Sequence, residues 1–284
     1  MNKWLSLLPS NHATLEFLYT HPNYSITVLR KHLATQNLDT SMHVNSYIKV
    51  IMTTAHENSS HFSTLSTDLL QSADKRWKEL RQITFEKAYA YRMEQKPAPG
   101  QSQLRGSKLK LPDVIAMRDS LPDGSIEKLL LGFYTHIPPV RADYYATQIL
   151  PFGEIPTSPN YIFHDSTRSH LVITDFKTSN IYHDITHDLP EELHRQLVLS
   201  LQMQPRTYLF VNIHGNSFSR NRYSVWSGEQ LFKIFKMGLT ITMLRHIFIS
   251  SLDFNSPPAS LQEISKKMGH HLTQQMLYKW RDSD

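Results

Sequence analysis

The sequence predicts a mainly α-helical protein with one small β-sheet, an α+β chain in two domains, and three observations carry that expectation. Apolar residues return at helical spacing through most of both halves of the chain. One segment, Leu171-Val172-Ile173-Thr174-Asp175-Phe176-Lys177-Thr178, has the β-branched density and polar borders of a strand entering a turn. Between the halves, Lys96-Pro97-Ala98-Pro99-Gly100-Gln101-Ser102-Gln103-Leu104-Arg105-Gly106-Ser107 gathers proline, glycine and serine and interrupts the periodicity. That stretch reads as a linker over 97–107, dividing a domain at 1–96 from one at 108–284.

In the front domain, Leu70, Ala73, Trp77, Leu80 and Ala88 recur on one helical face while Lys75, Arg76, Lys78 and Arg81 fall between them. The pattern predicts a long amphipathic helix, preceded by shorter ones near Thr14–Leu18, Ser25–Gln36 and Met42–His56. The back domain opens with Pro112 and Asp113 in a helix-starting position, then a very apolar helix from about Ser125 to Tyr134. After the strand, Leu189, Leu193, Leu197 and Leu201 predict a helix, and Tyr208–Asn212 reads as a short extended run. Helices are expected again at Gly228–Met237, Thr240–Ser251, Leu261–Met268 and Thr273–Lys279.

Composition narrows the chemistry. With 40% hydrophobic residues in 284 the chain can bury two cores. It has no cysteine, which removes disulfides, thiolate catalysis and cysteine zinc sites. The apolar start ends at Pro9, too soon for a signal peptide, and no segment is long enough to cross a membrane, so a soluble intracellular protein is expected. Net charge is +5, and residues 1–107 hold twelve basic against eight acidic side chains while the remainder is nearly balanced, eighteen against seventeen. A front domain that grips a phosphate backbone would show this asymmetry.

Breaking a phosphodiester without a metal needs a nucleophile that stays bonded to phosphorus and fixed cations for the charge that grows on the phosphate oxygens. Tyrosine suits the first role because its phenolate leaves more readily than an alkoxide, making the bond reversible. Arginine suits the second, since its planar fork matches two phosphate oxygens and keeps its charge. Histidine adds a hydrogen bond, and lysine can protonate the departing oxygen. The chain offers these as Arg141 after Ile137-Pro138-Pro139-Val140, Lys177 in the strand, Leu244-Arg245-His246, Met268-Gly269-His270 and Tyr278. From Arg245 to Tyr278 is thirty-three positions, room for two short helices that return the tyrosine towards the arginine.

Each residue has an ordinary reading when taken alone. Tyr278 beside Trp280 could be a packing aromatic, Arg141 a surface or capping arginine, and Lys177 a solvated turn lysine. Arg245 is different, because an unpaired cation inside an apolar helix is costly. Order and spacing together outweigh the ordinary readings. Over roughly 108–284 the chain resembles the tyrosine recombinases, or phage-type integrases, and Leu131-Gly132-Phe133-Tyr134-Thr135-His136-Ile137-Pro138-Pro139-Val140-Arg141-Ala142-Asp143-Tyr144 is most similar to versions carried by large DNA viruses and eukaryotic mobile elements.

The resemblance implies a helical core-binding-like front domain and a catalytic back domain closing round duplex DNA. It implies that Arg141 and Arg245 hold the scissile phosphate, Lys177 protonates the leaving 5′ oxygen, His270 supports the phosphate and Tyr278 attacks to leave a 3′-phosphotyrosyl bond. It also implies no metal, ATP or small-molecule cofactor, and a homotetramer on paired double-stranded DNA sites. Two positions depart from the family pattern. Thr242 stands where the second box usually has histidine, and Tyr144 stands where an acid commonly follows the first arginine by three, Asp143 being one position early.

A catalytically weakened DNA-binding protein on this fold, or a DNA-relaxing enzyme of the type IB topoisomerase kind, therefore stays open. A remoter alternative is a metal-dependent phosphohydrolase. His183 and His187 in His183-Asp184-Ile185-Thr186-His187-Asp188 would share a face if helical, although the β-branched interior favours a loop or hairpin.

Overall fold

A computed structural model describes residues 5–36, 41–93, 109–255 and 257–279, and the chain divides into two compact units, Met1–Glu94 and Gln95–Asp284. The linker expected over 97–107 lies wholly outside the described residues, as does Trp280.

The first unit is helical. It comprises α1 (Leu15–Thr20), α2 (Pro22–Thr35), α3 (Ser41–Glu57) and α4 (Thr67–Met93), with single 3₁₀ turns at Ser10–His12 and Ser59–Phe62. Thr14 caps α1 by accepting from the Phe17 amide at 3.1 Å, satisfying a donor that the helix cannot. The spacing read from the sequence holds in α4: Ala73, Trp77 and Ala88 are buried, with Leu70 and Leu80 half-buried. Trp77 is fully buried in the core that also holds Leu18, Leu29 and Val44, and its indole N–H donates to the Tyr19 carbonyl at 2.8 Å. Burying a ring of this size contributes about 3 kcal/mol.

The second unit carries the sheet. Its order is α5 (Leu111–Ser120), α6 (Ile126–Thr135), β1 (Gln148–Pro151), β2 (Asn160–His164), β3 (Ser169–Ile173), α7 (Ser179–Tyr182), β4 (Ile185–Asp188), α8 (Glu191–Met203), α9 (Arg220–Phe235), α10 (Ile241–Ser250), α11 (Pro258–Lys267) and α12 (Leu272–Tyr278). The strands lie in sequence order, β1 parallel to β2 and the other neighbours antiparallel. Capping chemistry starts the helices. Asp113 accepts from the Lys110 amide at 2.8 Å, Ser125 from Lys128, and Thr240 from Met243. Residues 128–134 of α6 are all buried, and Gly132 lets α8 come close, since a β-carbon there would stand 2.8 Å from Leu193 Cδ1.

Three expectations need correction. Three strands accompany the expected one, and β3 ends at Ile173, so Lys177 occupies the turn that follows rather than the strand. The reason is Asn160, at the head of β2, whose Oδ1 accepts the Thr174 and Asp175 amides at 3.0 and 2.8 Å and so replaces a ladder partner. The Tyr208–Asn212 run forms a single antiparallel bridge, Tyr208 to Gln148, and no strand. Helix α9 begins at Arg220, capped by Ser219, with Gly228 in its interior. The 183–188 segment is a turn and a strand, as its β-branched interior favours: His183 has φ 53° in the exposed turn after α7, and His187 is buried in β4, so the two share no helical face. Among the described residues no cluster of three or more histidine, aspartate or glutamate side chains could hold a metal.

Candidate functional site

Two loops and one helix of the second unit meet at a buried cation. Arg245 lies mid-way along α10, flanked by the buried Met243, Leu244 and Ile247, and none of its surface is exposed. A buried guanidinium needs acceptors. Its Nη1 donates to the Pro139 carbonyl, in the loop that leads to Arg141, and Nη2 donates to the Met268 carbonyl at 3.4 Å. Nη2 also stands 3.0 Å from His270 Nδ1.

That last contact fixes the state of the histidine. Arginine has no acceptor, so Nδ1 must accept and, in the neutral ring, the proton resides on Nε2. The ring is neutral: burial first, then the charges of Arg245 and Arg141, push its pKa down to about 3. His270 is thus set as a hydrogen-bond donor without charge. It gets there through Gly269, which takes φ +66° after α11 and leaves no room for a side chain, because a β-carbon would meet Phe176 at 3.0 Å and Ile185 at 3.3 Å. The neighbouring histidines separate at this turn, His270 buried and His271 exposed as the cap of α12.

Arg141 leaves the double proline half-exposed, its amide donating to Asp143 Oδ2 at 3.2 Å and its carbonyl accepting from the Tyr134 hydroxyl at 3.0 Å. Its charge acts on both His270 and Asp143. Asp143 is buried. Desolvation holds its carboxyl above the ordinary range against the pull of Arg220, Arg245 and Arg141.

Lys177 is exposed, in a turn anchored by buried Phe176 on one side and by Thr178 on the other, whose hydroxyl donates to the Gly269 carbonyl at 2.7 Å. The lysine's turn is therefore docked on the turn that carries His270. Arg141, Lys177, Arg245 and His270 come from segments that meet.

Tyr278 is the last residue of α12, and its side chain lies outside the described residues. Two helices, α11 and α12, fill the interval after α10 as the spacing required, and α12 packs against α10 and α11, with Gln275 fully buried on it. Thr242, on α10 three residues before Arg245, is exposed.

Sequence reasoning missed Asp143 as a site residue, and it missed Arg220 entirely. The Arg220 guanidinium pairs with Asp143 Oδ1 and, at 3.3 Å, with Asp175 Oδ2. A signal existed: Arg220 and Arg222 open a helix, where the dipole disfavours cations unless they have another partner.

Neither a protein-family model nor a curated protein sequence matches the chain. Among solved structures the chain is similar to site-specific recombinases. The crystal structure of XerA recombinase aligns over 99% of this chain and 95% of that one, with a TM-score of 0.42 and 16% identity. The XerH site-specific recombinase, bound to difH substrate in a pre-cleavage complex, aligns over 92% of this chain and 75% of that one, with a TM-score of 0.42 and 13% identity.

Proposed function

We propose that the chain breaks and rejoins DNA strands through a 3′-phosphotyrosyl intermediate, as a site-specific recombinase. The observation that carries the proposal is the fully buried Arg245 with a neutral His270 that accepts from it through Nδ1, and the Arg141 charge close by. A buried cation beside a second cation favours a bound anion, and a phosphate diester supplies both the charge and the oxygen acceptors.

In this reading Arg141 and Arg245 hold the nonbridging oxygens and His270 Nε2 donates a hydrogen bond. The Tyr278 oxygen bonds to phosphorus as the phenol gives up its proton, the P–O5′ bond breaks, and Lys177 protonates the 5′ oxygen. Attack by a 5′ hydroxyl reverses the step, so neither ATP nor metal is required. The first unit and the basic residues of α4 would bind duplex DNA, the 97–107 segment would link the units, and four protomers would act on two sites. Resemblance to viral and mobile-element versions rests on the 131–144 wording alone.

The test uses a randomised pool of nicked duplexes without added metal. Protein–DNA adducts that survive denaturation are recovered, and the linked peptide is identified by mass spectrometry. A peptide containing Tyr278 is expected, with Tyr278→Phe losing the adduct while DNA binding persists. An undiminished adduct from that variant refutes the nucleophile. A second reading follows from Thr242, which stands in place of the usual histidine: binding without any adduct would make the chain a DNA-binding protein on this fold.

A further inference from the structure

Arg141 and Lys177 both sit in irregular backbone, in turns that no strand ladder or helix fixes. Two side chains span the gap between those turns. Asn160, buried at the start of β2, donates from Nδ2 to the Asp143 carbonyl at 2.8 Å and to the Asp175 carbonyl at 3.1 Å, while its Oδ1 accepts from Thr174 and Asp175. All four hydrogen-bonding positions of one amide are thereby used. Arg220, the first residue of α9, pairs with Asp143 on the Arg141 side and Asp175 on the Lys177 side. Its guanidinium centre lies 5.0 Å from the centre of the Tyr145 ring, and the Tyr145 hydroxyl donates to Asp175 at 2.8 Å.

From this we infer that Arg220, with Asn160, is a positioning residue that locks the Arg141 loop and the Lys177 turn into one frame, so that a phosphate clamp and a proton donor borne on separate segments meet the same phosphodiester. The inference rests on the proposed function for its consequence, and on geometry alone for the lock. A planar fork bridges two carboxylates in one fixed geometry, whereas an ammonium on a flexible stem sets neither direction, which makes lysine the informative replacement. Arg220 is about a third exposed, so the rival role is a direct phosphate contact, which lysine would largely restore.

The experiment compares the full-length wild type with Arg220→Ala and Arg220→Lys. Amide hydrogen exchange on the free protein reads the lock. Exchange should rise about tenfold at Arg141 and also at Thr174 and Asp175 in both variants. Unchanged exchange, or a rise at one segment only, overturns the inference, whatever the protein does to DNA. Adduct formation on duplexes recovered from the nicked pool reads the consequence: about a hundredfold slower chemistry for both variants, at duplex affinity within about threefold of wild type. Recovery of rate by lysine, or an affinity loss matching the rate loss, would make Arg220 a phosphate contact instead. If wild type forms no adduct the recombinase reading falls, and the exchange result still decides the lock. Should Arg220→Ala fail to fold, Arg220→Lys carries both measurements.

Discussion

Arg206 and Arg245 of the second unit, one half-buried and one fully buried, have opposite surroundings. Arg206, after α8, is ringed by oxygen: it donates to the carbonyls of Leu209, Ser200 and Gln204 and to the Ser200 hydroxyl, all at 2.9–3.0 Å. Burial alone pulls its pKa, down to about 10. Arg245 touches two carbonyls and an imidazole and has a second arginine, Arg141, acting on that same imidazole. The first site is electrostatically finished, binding the end of α8 to the loop before α9. In the second, cations are concentrated where a folding protein alone gains little from them. Burial of a charge therefore does not by itself mark function; a buried charge beside a like charge is the one that gains from a bound anion.

The comparison can be broken by exchanging the phenotypes. Arg245→Ala should slow adduct formation by about a thousandfold or more, because an uncompensated phosphate charge costs several kcal/mol in the transition state. Near-normal adduct from that variant removes Arg245 from the site. Arg206→Ala should instead lower stability by about 2 kcal/mol, measured by urea unfolding, since it removes the tie between the end of α8 and the Leu209 carbonyl, and should leave the adduct rate per folded molecule unchanged. Reversal of the two outcomes would mean that the surroundings had been misjudged.

Gly269→Ala sharpens the link between turn and site. The left-handed φ and the contact with Phe176 should cost about 2 kcal/mol, and the adduct rate should fall as His270 and the Lys177 turn move together. A stable variant of unchanged rate would separate the two turns. The smallest expected effect is on pH dependence. His187 has its pKa lowered to about 4, by burial first and then by the charge of Lys267. The unfolded chain binds that proton below about pH 6.5 while the folded chain refuses it until about pH 4, so stability falls as pH drops through this window. His187→Leu should remove on the order of 2 kcal/mol of that acid sensitivity in urea titrations at pH 7 and pH 4.5. An unaltered slope between those pH values would assign the sensitivity elsewhere.

Much of the fold was legible because helices announce themselves locally. Ser125, Thr240 and the Lys110–Asp113 pair sit where orphan amides need them, and the apolar stripe of α4 survives intact. The short strands were not legible. Gln148–Pro151 and Asn160–His164 lie among prolines and owe their extension to each other and to β3, partners that a local pattern does not reveal. In the site, Arg141, Arg245 and His270 were found through order and spacing, and the arrangement brings them together. Arg220 and Asn160 were not found, because each acts by touching two segments remote in sequence. Lys177 was placed in the strand because Thr174 and Thr178 look like strand residues, while the Asn160 side chain ends the ladder earlier.

One further consequence follows from the complete enclosure of Arg245. Mobile ions shield charges that water can reach and leave enclosed ones almost untouched. In a trapped complex, potassium chloride should therefore govern how often the duplex is captured without governing how fast the captured strand reacts. Ionic strength then becomes a dial that separates encounter from bond breaking.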